Sequence, residues 1–317
     1  MVGVDGRDHA RKAVFTVLKW LWLLAVIGFA GWYLRDNSTE LVRYWNDLGY
    51  RAVLGALLAL TIGRFFLSEI SRHALKASGI RIRSIDSLAV NSVSQLGKYL
   101  PGSVWHLVGR VGLYRRWGAT TKQASAVLIL ENGVLLLSGA GLALLPVVLL
   151  FLNPVQVGGE DPIFRAILLL AALIIIAILF AVSRRLFGSR LLIVGRASLG
   201  FLWVISLLFW IVFGIAFWLC VAGEAQNLAL LPIATGVFAA GWIAGNLAPF
   251  APAGVGVREA VIVGLLGPFV GVGTAIGAAA ASRVLWTINE LLLALPSAAH
   301  VSRRSPDRSS SHRGSST

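Results

Sequence analysis

Long apolar segments alternate with short polar segments over most of the chain. Several of the apolar segments exceed 18 residues, a length that is typical of transmembrane helices and that soluble cores rarely need. The segments that we predict to cross a membrane once are 14–34, 50–70, 124–151, 163–183, 199–221 and 272–296. The pattern therefore predicts an all-α polytopic membrane protein with about 6–8 transmembrane helices and one or two broken re-entrant hairpins.

The region Asn91–Arg110 interrupts this pattern with polar and basic residues. Pro101 and Gly102 divide it into two pieces. As helices, the pieces Leu88–Leu100 and Ser103–Leu113 would reach about 20 Å and 16 Å. Neither can cross a hydrocarbon core of about 30 Å. We therefore predict a broken helical hairpin that enters the membrane partway from the cytoplasmic side.

A second break rich in Pro and Gly occurs at Leu247–Val255. The flanking segments Pro232–Leu247 and Gly254–Val270 would each reach about 24–26 Å as helices, which is borderline for a full crossing. They could form two tilted spans or a deep hairpin with the break near the midplane. The residues that we predict to break the helices in the two regions are Pro101, Gly102, Pro252, Gly254 and Gly256.

The spacing of the two breaks predicts an internal repeat. Pro101 and Pro252 lie 151 positions apart, and the same offset brings each span of the first half close to a span of the second. We therefore predict a single transmembrane domain, 14–296, built from repeats at 14–151 and 163–296. Each repeat would contain two spans, a broken hairpin and one further span, so the second would be inverted, as in many secondary transporters. Chance similarity of span spacing is the alternative.

The distribution of charged residues predicts which segments face the cytoplasm. The chain is 57% hydrophobic and 13% charged, with a net charge of +14. Basic loops facing anionic lipid heads explain the positive charge better than nucleic acid does. The positive-inside rule predicts a cytoplasmic segment 1–13 and external segments at Arg35–Gly49, Asn153–Pro162 and Ala222–Ala229, with both termini in the cytoplasm. Residues 297–317 should form a disordered basic tail, and the expected location is the cytoplasmic membrane.

Charged residues beside the breaks are the candidates for a binding site, because charges in a membrane are costly and usually functional. A break also exposes unpaired N–H groups at the start of the next helix, here at Ser103 and Gly254, and these favour phosphate or carboxylate. Arg64 lies near the end of its span, where snorkelling would explain it. The residues expected to bind an anionic lipid head are Lys98, His106, Arg110, Arg258 and Arg283.

Acidic and amide side chains within the spans are expected to supply counter-charges and polar contacts. Arg283 and Glu290 are seven positions apart and therefore share a helix face. Structural ion pairs or polar helix contacts are the alternative for all of these residues. The residues predicted as counter-charges or polar partners are Glu131, Asn132, Glu259 and Glu290.

The sequence predicts no cofactor, no metal and no catalytic residue. The single cysteine, Cys220, excludes an intrachain disulfide and a cysteine-based metal cluster. The five histidines are scattered, and no nucleotide-binding loop or acidic motif for metal-dependent sugar transfer is present.

Three segments of the sequence resemble a known family. Pro101–Gly118 contains P-G-x-x-x…R…Y-R-R-x-G, Glu131 follows in the next span, and Pro252–Glu259 reads P-A-G-V-G-V-R-E. Together they resemble the flippase-like transmembrane region of lysylphosphatidylglycerol synthases, over roughly Tyr50 to Pro296. The resemblance implies that a lipid-head pathway is lined by Arg110, Glu131, Pro252, Gly254, Gly256, Arg258 and Glu259.

The resemblance also implies a function. Family members include the domain that moves aminoacylated phosphatidylglycerol between leaflets, and stand-alone relatives near glycolipid, hopanoid and polysaccharide synthesis. The soluble aminoacyl-transfer domain has no counterpart in these 317 residues, so synthase activity is not expected. Ala253 stands where the family commonly has Gly, which makes the turn less permissive.

We therefore expect a translocase of an anionic phospholipid or a polyprenyl-linked glycan, with membrane lipids as partners and without enzymatic activity. A non-transporting accessory or scaffold subunit, working with enzymes of envelope lipid or polysaccharide biosynthesis, is the alternative. An integral membrane glycosyltransferase is the third.

Overall fold

The computed structural model describes residues 38–99, 105–152, 196–223, 227–248 and 251–303, with isolated helical positions between 20 and 35 and between 163 and 181. The regular structure of these residues is helical. The α-helices are α1 (Ser38–Ala77), α2 (Ser84–Gln95), α3 (Trp105–Tyr114), α4 (Thr121–Leu152), α5 (Arg196–Ala222), α6 (Leu230–Leu247), α7 (Val257–Val270) and α8 (Val272–Arg303). Short 3₁₀ turns lie at Leu96–Tyr99, Arg115–Trp117 and Pro252–Gly254.

Five of the described helices, α1, α4, α5, α6 and α8, are long and apolar enough to cross a membrane. They contain the predicted spans 50–70, 124–151, 199–221 and 272–296. The predicted spans 14–34 and 163–183 fall outside the described residues, apart from the isolated helical positions. The predicted class, an all-α polytopic membrane protein, is confirmed.

The first predicted hairpin consists of two short helices, α2 and α3. With 12 and 10 residues, they reach about 18 Å and 15 Å, too short to cross a membrane. Their adjoining ends meet where a Cβ on Gly97 would lie only 2.7 Å from the backbone nitrogen of His106. Pro101, Gly102 and Ser103 lie outside the described residues. Ser84–Tyr114 is called the first hairpin below.

The second predicted break separates α6, of 18 residues, from α7, of 14. Helix α7 reaches only about 21 Å, which favours a hairpin over two full spans. The two helices pack against each other, and Gly254 (φ 69°) lies so close to Gly245 that a Cβ would approach the Gly245 Cα to 2.7 Å. Leu230–Val270 is called the second hairpin below.

The main hydrophobic core lies where α1, α5, α6 and α8 meet, and α4 and α7 also contribute buried residues to it. Phe213 stands at its centre, with ring centroids 5.9 Å from Phe238 and 4.9 Å from Trp286. Helix α1 approaches closely because Gly63 leaves room for the Phe213 ring, which a Cβ would meet at 2.1 Å. Of these three aromatic residues, Trp286 also lines the polar site described below.

Two predicted non-helical segments are wrong within the described residues. Positions 38–48 of the predicted loop Arg35–Gly49 are helical, because Leu48 is buried and the Tyr44 hydroxyl donates a hydrogen bond to the Cys220 carbonyl at 2.5 Å. Gly49 (φ 70°) then kinks α1. The predicted disordered tail begins too early, since α8 continues to Arg303. The inverted repeat itself stays a prediction.

The extension of α8 beyond Pro296 also has a packing reason. Val301 is buried, and the His300 Nε2 lies 2.7 Å from the Asp86 Oδ1 at the start of α2. Helix α8 is therefore held against the first hairpin at this end.

Candidate functional site

The two hairpins line a common cavity of about 400 Å³, within the range of about 300–1,000 Å³ that is usual for small-ligand sites. Lys98 and His106 line it from the first hairpin, and Gly254 and Arg258 line it from the second. The 3₁₀ turns beside the two breaks also contact each other. Leu247, which also lines the cavity, is 47% exposed.

On the first-hairpin side, Arg110 and Glu131 form a buried ion pair. The Arg110 Nη1 donates to the Glu131 Oε1 at 2.6 Å, and both side chains are 3% exposed. The Ser71 hydroxyl donates to the other Glu131 oxygen, and the Arg110 Nε donates to the Ser94 hydroxyl at 3.3 Å. Arg110 of α3 is thus held by Glu131 of α4 and Ser94 of α2, and Ser71 of α1 holds Glu131 in turn.

A second cluster forms around Glu290 on α8. Its Oε1 accepts hydrogen bonds from the Arg64 Nη2 and the Lys98 Nζ, and from the Trp286 Nε1 at 2.6 Å. The Arg64 and Glu290 side chains are 6% and 2% exposed. One carboxylate is therefore shared by two cations. We call Arg64, Lys98, Trp286 and Glu290 the Glu290 cluster.

The turn of the second hairpin is held by Arg283 and Glu259. The Arg283 Nη2 donates to the Ala253 carbonyl at 2.7 Å, and its Nε lies 3.4 Å from the Glu259 Oε1. The other Glu259 oxygen accepts from the Gly256 N–H at 2.7 Å. Ala253 (φ 51°) has the one positive φ of a non-glycine residue among the described positions. This contact set fixes a strained turn at the cavity.

Arg258 has a different environment from the other arginines of the cavity. Its guanidinium lies between two aromatic rings, 4.6 Å from the Phe238 centroid and 4.8 Å from the Trp286 centroid. The residue is 4% exposed. Its Nη2 has no hydrogen-bond partner among the described residues, and no carboxylate there lies within ion-pairing distance. A buried, charged donor thus faces the cavity, and the described residues supply no acceptor for its Nη2.

Most of the predicted site residues meet at this cavity. Glu259 and Glu290 lie beside it and contact cations that line it. The Asn132 side chain, which also lines it, donates to the Leu128 carbonyl. Pro252 belongs to the 3₁₀ turn next to the cavity. The predicted residues that line the cavity directly are Lys98, His106, Arg110, Glu131, Asn132, Gly254, Arg258 and Arg283.

The structure differs from three details of the predicted site. The Gly254 N–H is not free, because it donates to the Ala251 carbonyl at 2.9 Å and α7 begins only at Val257. Arg283 does not pair with Glu290, although the two share a helix face. Glu259 is engaged by Arg283 and the Gly256 N–H, so it does not neutralise Arg258 directly.

Two contributors to the site were missed in the sequence. Arg64 does not reach an interface by snorkelling but lies 5% exposed at the cavity, bonded to Glu290. Its position within an apolar span was the available signal. Trp286 brings Arg64 and Arg258 together from α1 and α7, and nothing in the local sequence distinguishes it from the other ten tryptophans.

Within the described part of the chain, no group of three or more His, Cys, Asp or Glu residues is placed to hold a metal ion.

The comparison with known families fits this geometry. The family described as "Lysylphosphatidylglycerol synthase TM region" matches residues 19–294, a range that includes both hairpins and the cavity. No curated protein matches the chain significantly. The match indicates a multi-pass membrane protein with a lipid-related role. The chain therefore belongs to the family of lysylphosphatidylglycerol synthase transmembrane regions.

Proposed function

We propose that the protein moves an anionic lipid across the cytoplasmic membrane and binds the lipid head group in the cavity between the two hairpins. The head group is that of a phospholipid or of a polyprenyl-linked glycan. The proposed activity is transport, with no synthetic chemistry of its own.

The observation that carries the proposal is the environment of Arg258. Burying a charge without a hydrogen-bonding counter-ion costs several kcal/mol in practice. Arg258 is 4% exposed and faces the cavity, and its Nη2 has no partner in the described residues. Contact with Phe238 and Trp286 recovers part of that cost through cation–π attraction. A phosphate in the cavity would recover the rest, because a guanidinium binds phosphate with two parallel hydrogen bonds.

The location of the cavity supports transport over a purely structural role. It lies between two pairs of helices, and each pair includes at least one helix too short to cross a membrane. Broken helices that meet near the midplane are typical of transporter binding sites. An accessory or scaffold subunit would have no need for a buried cation aimed into such a cavity.

The test is a translocation assay with the full chain in phosphatidylcholine vesicles. Tail-labelled fluorescent phosphatidylglycerol, phosphatidic acid and phosphatidylcholine serve as probes, and a membrane-impermeant quencher reports the leaflet. We expect at least one anionic probe to move faster than in protein-free vesicles, and phosphatidylcholine to move no faster. Arg258→Lys keeps the positive charge but loses the planar guanidinium that binds phosphate with two hydrogen bonds. It should therefore reduce transport at least tenfold while the protein still inserts and folds.

Arg116→Lys is the matched control, because Arg116 is exposed and lies outside the cavity. It should transport like the parent. Parent-like transport by Arg258→Lys, or no movement of any anionic probe, would contradict the proposal and favour the scaffold alternative.

A further inference from the structure

The charges around the cavity do not balance. Five cations line it: Arg64, Lys98, Arg110, Arg258 and Arg283. The described carboxylates that contact these cations are Glu131, Glu259 and Glu290. Five positive charges against three negative ones leave a formal charge of +2 in a largely buried site.

The excess positive charge is localised in one part of the cavity. Arg110 is matched by Glu131, and Arg283 is matched by Glu259. The remaining cations, Arg64, Lys98 and Arg258, have one carboxylate within ion-pairing distance in the described residues, that of Glu290. The surplus therefore lies in the Glu290 cluster and at Arg258.

Trp286 brings these two places together. The guanidinium carbons of Arg64 and Arg258 lie 4.7 Å and 4.8 Å from the centroid of its ring, and the Lys98 Nζ lies 5.4 Å from it. The three cations are thus within about 10 Å of one another, a range over which like charges in a buried site repel strongly. Within the described residues, the Glu290 carboxylate is the one acidic group within ion-pairing distance to offset this repulsion.

We propose that the site selects a head group whose phosphate carries two negative charges, that is, a phosphate monoester or a diphosphate, over a phosphodiester with one. This inference rests on the proposed function and specifies its substrate class. A phosphate monoester carries a charge of about −1.5 to −2 at pH 7 because its second pKa is about 6. Such a group can neutralise both Arg258 and the surplus of the Glu290 cluster, whereas a diester leaves one positive charge uncompensated.

Two sources could supply this chemistry, a glycerolipid with a terminal phosphate or a polyprenyl phosphate or diphosphate. A cavity of about 400 Å³ has room for a phosphorylated head group of either kind. The choice between them depends on the hydrocarbon part of the lipid. The experiment therefore varies the head-group charge and the hydrocarbon separately.

The test measures binding of short-chain lipids to the full chain in a neutral detergent, by calorimetry or by ligand-induced thermal stabilisation. Dioctanoyl phosphatidic acid is compared with dioctanoyl phosphatidylmethanol, which differs by one methyl group and one negative charge. Farnesyl phosphate and farnesyl diphosphate form the polyprenyl arm. We expect phosphatidic acid to bind at least tenfold more tightly than phosphatidylmethanol, and the ratio of farnesyl to glycerolipid affinity to identify the source.

Two variants localise the effect. Arg258→Gln and Lys98→Gln each remove one positive charge from the surplus and should each reduce the monoester-to-diester ratio at least threefold. Arg116→Gln, at an exposed position outside the cavity, should leave the ratio unchanged. The two substituted residues lie on different hairpins. If one variant fails to fold, the other can still test whether the excess positive charge determines the monoester-to-diester ratio.

Equal or tighter binding of phosphatidylmethanol would overturn the inference, and so would the absence of binding by either lipid. A parent-like ratio in whichever of the two variants folds would overturn the assignment of the surplus to these residues. The proposed function is judged separately by the translocation assay. If phosphatidylglycerol is moved while no monoester preference appears, transport stands and the selectivity for two charges fails.

Discussion

Each hairpin places an arginine in the helix that follows its break, but the two arginines have different electrostatic environments. Arg110 in the first hairpin has a carboxylate at 2.6 Å and a serine hydroxyl at 3.3 Å. Arg258 in the second hairpin has two aromatic rings and, within the described structure, an Nη2 without an acceptor. Both residues are buried. Because the two arginines are equally buried but differently paired, we propose that Arg110 stabilises the fold and that Arg258 is available to a ligand.

This difference separates two roles that burial alone cannot distinguish. A buried arginine with a complete set of partners costs a great deal to disturb, because removal of either partner strands the other charge. A buried arginine without a counter-ion already carries that cost in the empty protein. Its removal should therefore affect binding far more than folding. The predictions below begin with the largest expected change in stability, at the first arginine, compare it with the second arginine, and then turn to the two breaks.

Breaking the Arg110–Glu131 pair should have the largest effect on folding. Arg110→Ala or Glu131→Ala leaves an unpaired buried charge, so each should lower the free energy of unfolding by about 3–5 kcal/mol. The double variant Arg110→Met/Glu131→Met should lose much less than the sum of the single variants. Unfolding in detergent, read beside abundance in membranes, measures all three. Additive losses in the double variant would show that the pair is not coupled.

Arg258→Met should behave differently in the same unfolding assay. Its side chain has no ion-pair partner in the described residues, so no carboxylate is left stranded within them. We expect its free energy of unfolding to lie within about 1 kcal/mol of the parent's, since an apolar side chain of similar length replaces an uncompensated charge. A loss as large as that of Arg110→Ala would assign Arg258 a structural role and remove the contrast between the hairpins.

The close backbone contact at each break can be tested by replacing its glycine with alanine, and the expected loss of stability is intermediate. An Ala at Gly97 or Gly254 would place a Cβ 2.7 Å from backbone atoms of the opposite arm, and Gly254 has φ 69° as well. We expect each substitution to destabilise the protein by about 2–3 kcal/mol. Gly109 and Gly264 are matched controls from α3 and α7, because a Cβ there meets no atom within 4 Å. Their Ala variants should be neutral or stabilised by up to about 1 kcal/mol.

The last prediction concerns the strained turn of the second hairpin. Ala253 has φ 51° and ψ 23°, a left-handed conformation that costs an alanine about 1 kcal/mol relative to glycine. Ala253→Gly should therefore raise the free energy of unfolding by about that amount, while the Arg283 hydrogen bond to the carbonyl is kept. A destabilised Ala253→Gly would mean that the stiffness of the alanine, and not relief of strain, dominates at this turn.

The sequence was sufficient for the helical membrane class and for the break regions. Apolar runs of transmembrane length and Pro/Gly breaks are local signals, and the cost of burying charge pointed directly to Arg110, Glu131 and Arg258. The sequence was not sufficient to predict which charged side chains form ion pairs with one another. Arg64 meets Glu290 across 226 positions of sequence, and such a contact depends on how α1 and α8 pack. Helix positions 38–48 and 297–303 were missed because tertiary burial overrides a polar local sequence.

A structure of the protein supplied with an anionic phospholipid tests the central claim most directly. The account predicts a phosphate in the cavity within hydrogen-bonding distance, about 2.7–2.9 Å, of the Arg258 Nη2, with the Arg110–Glu131 pair still intact. A phosphate bound instead to Arg110, with Glu131 displaced, would contradict the assignment of a structural role to the first arginine and a ligand-binding role to the second. A saturating lipid that left the Arg258 guanidinium without an acceptor would contradict it equally.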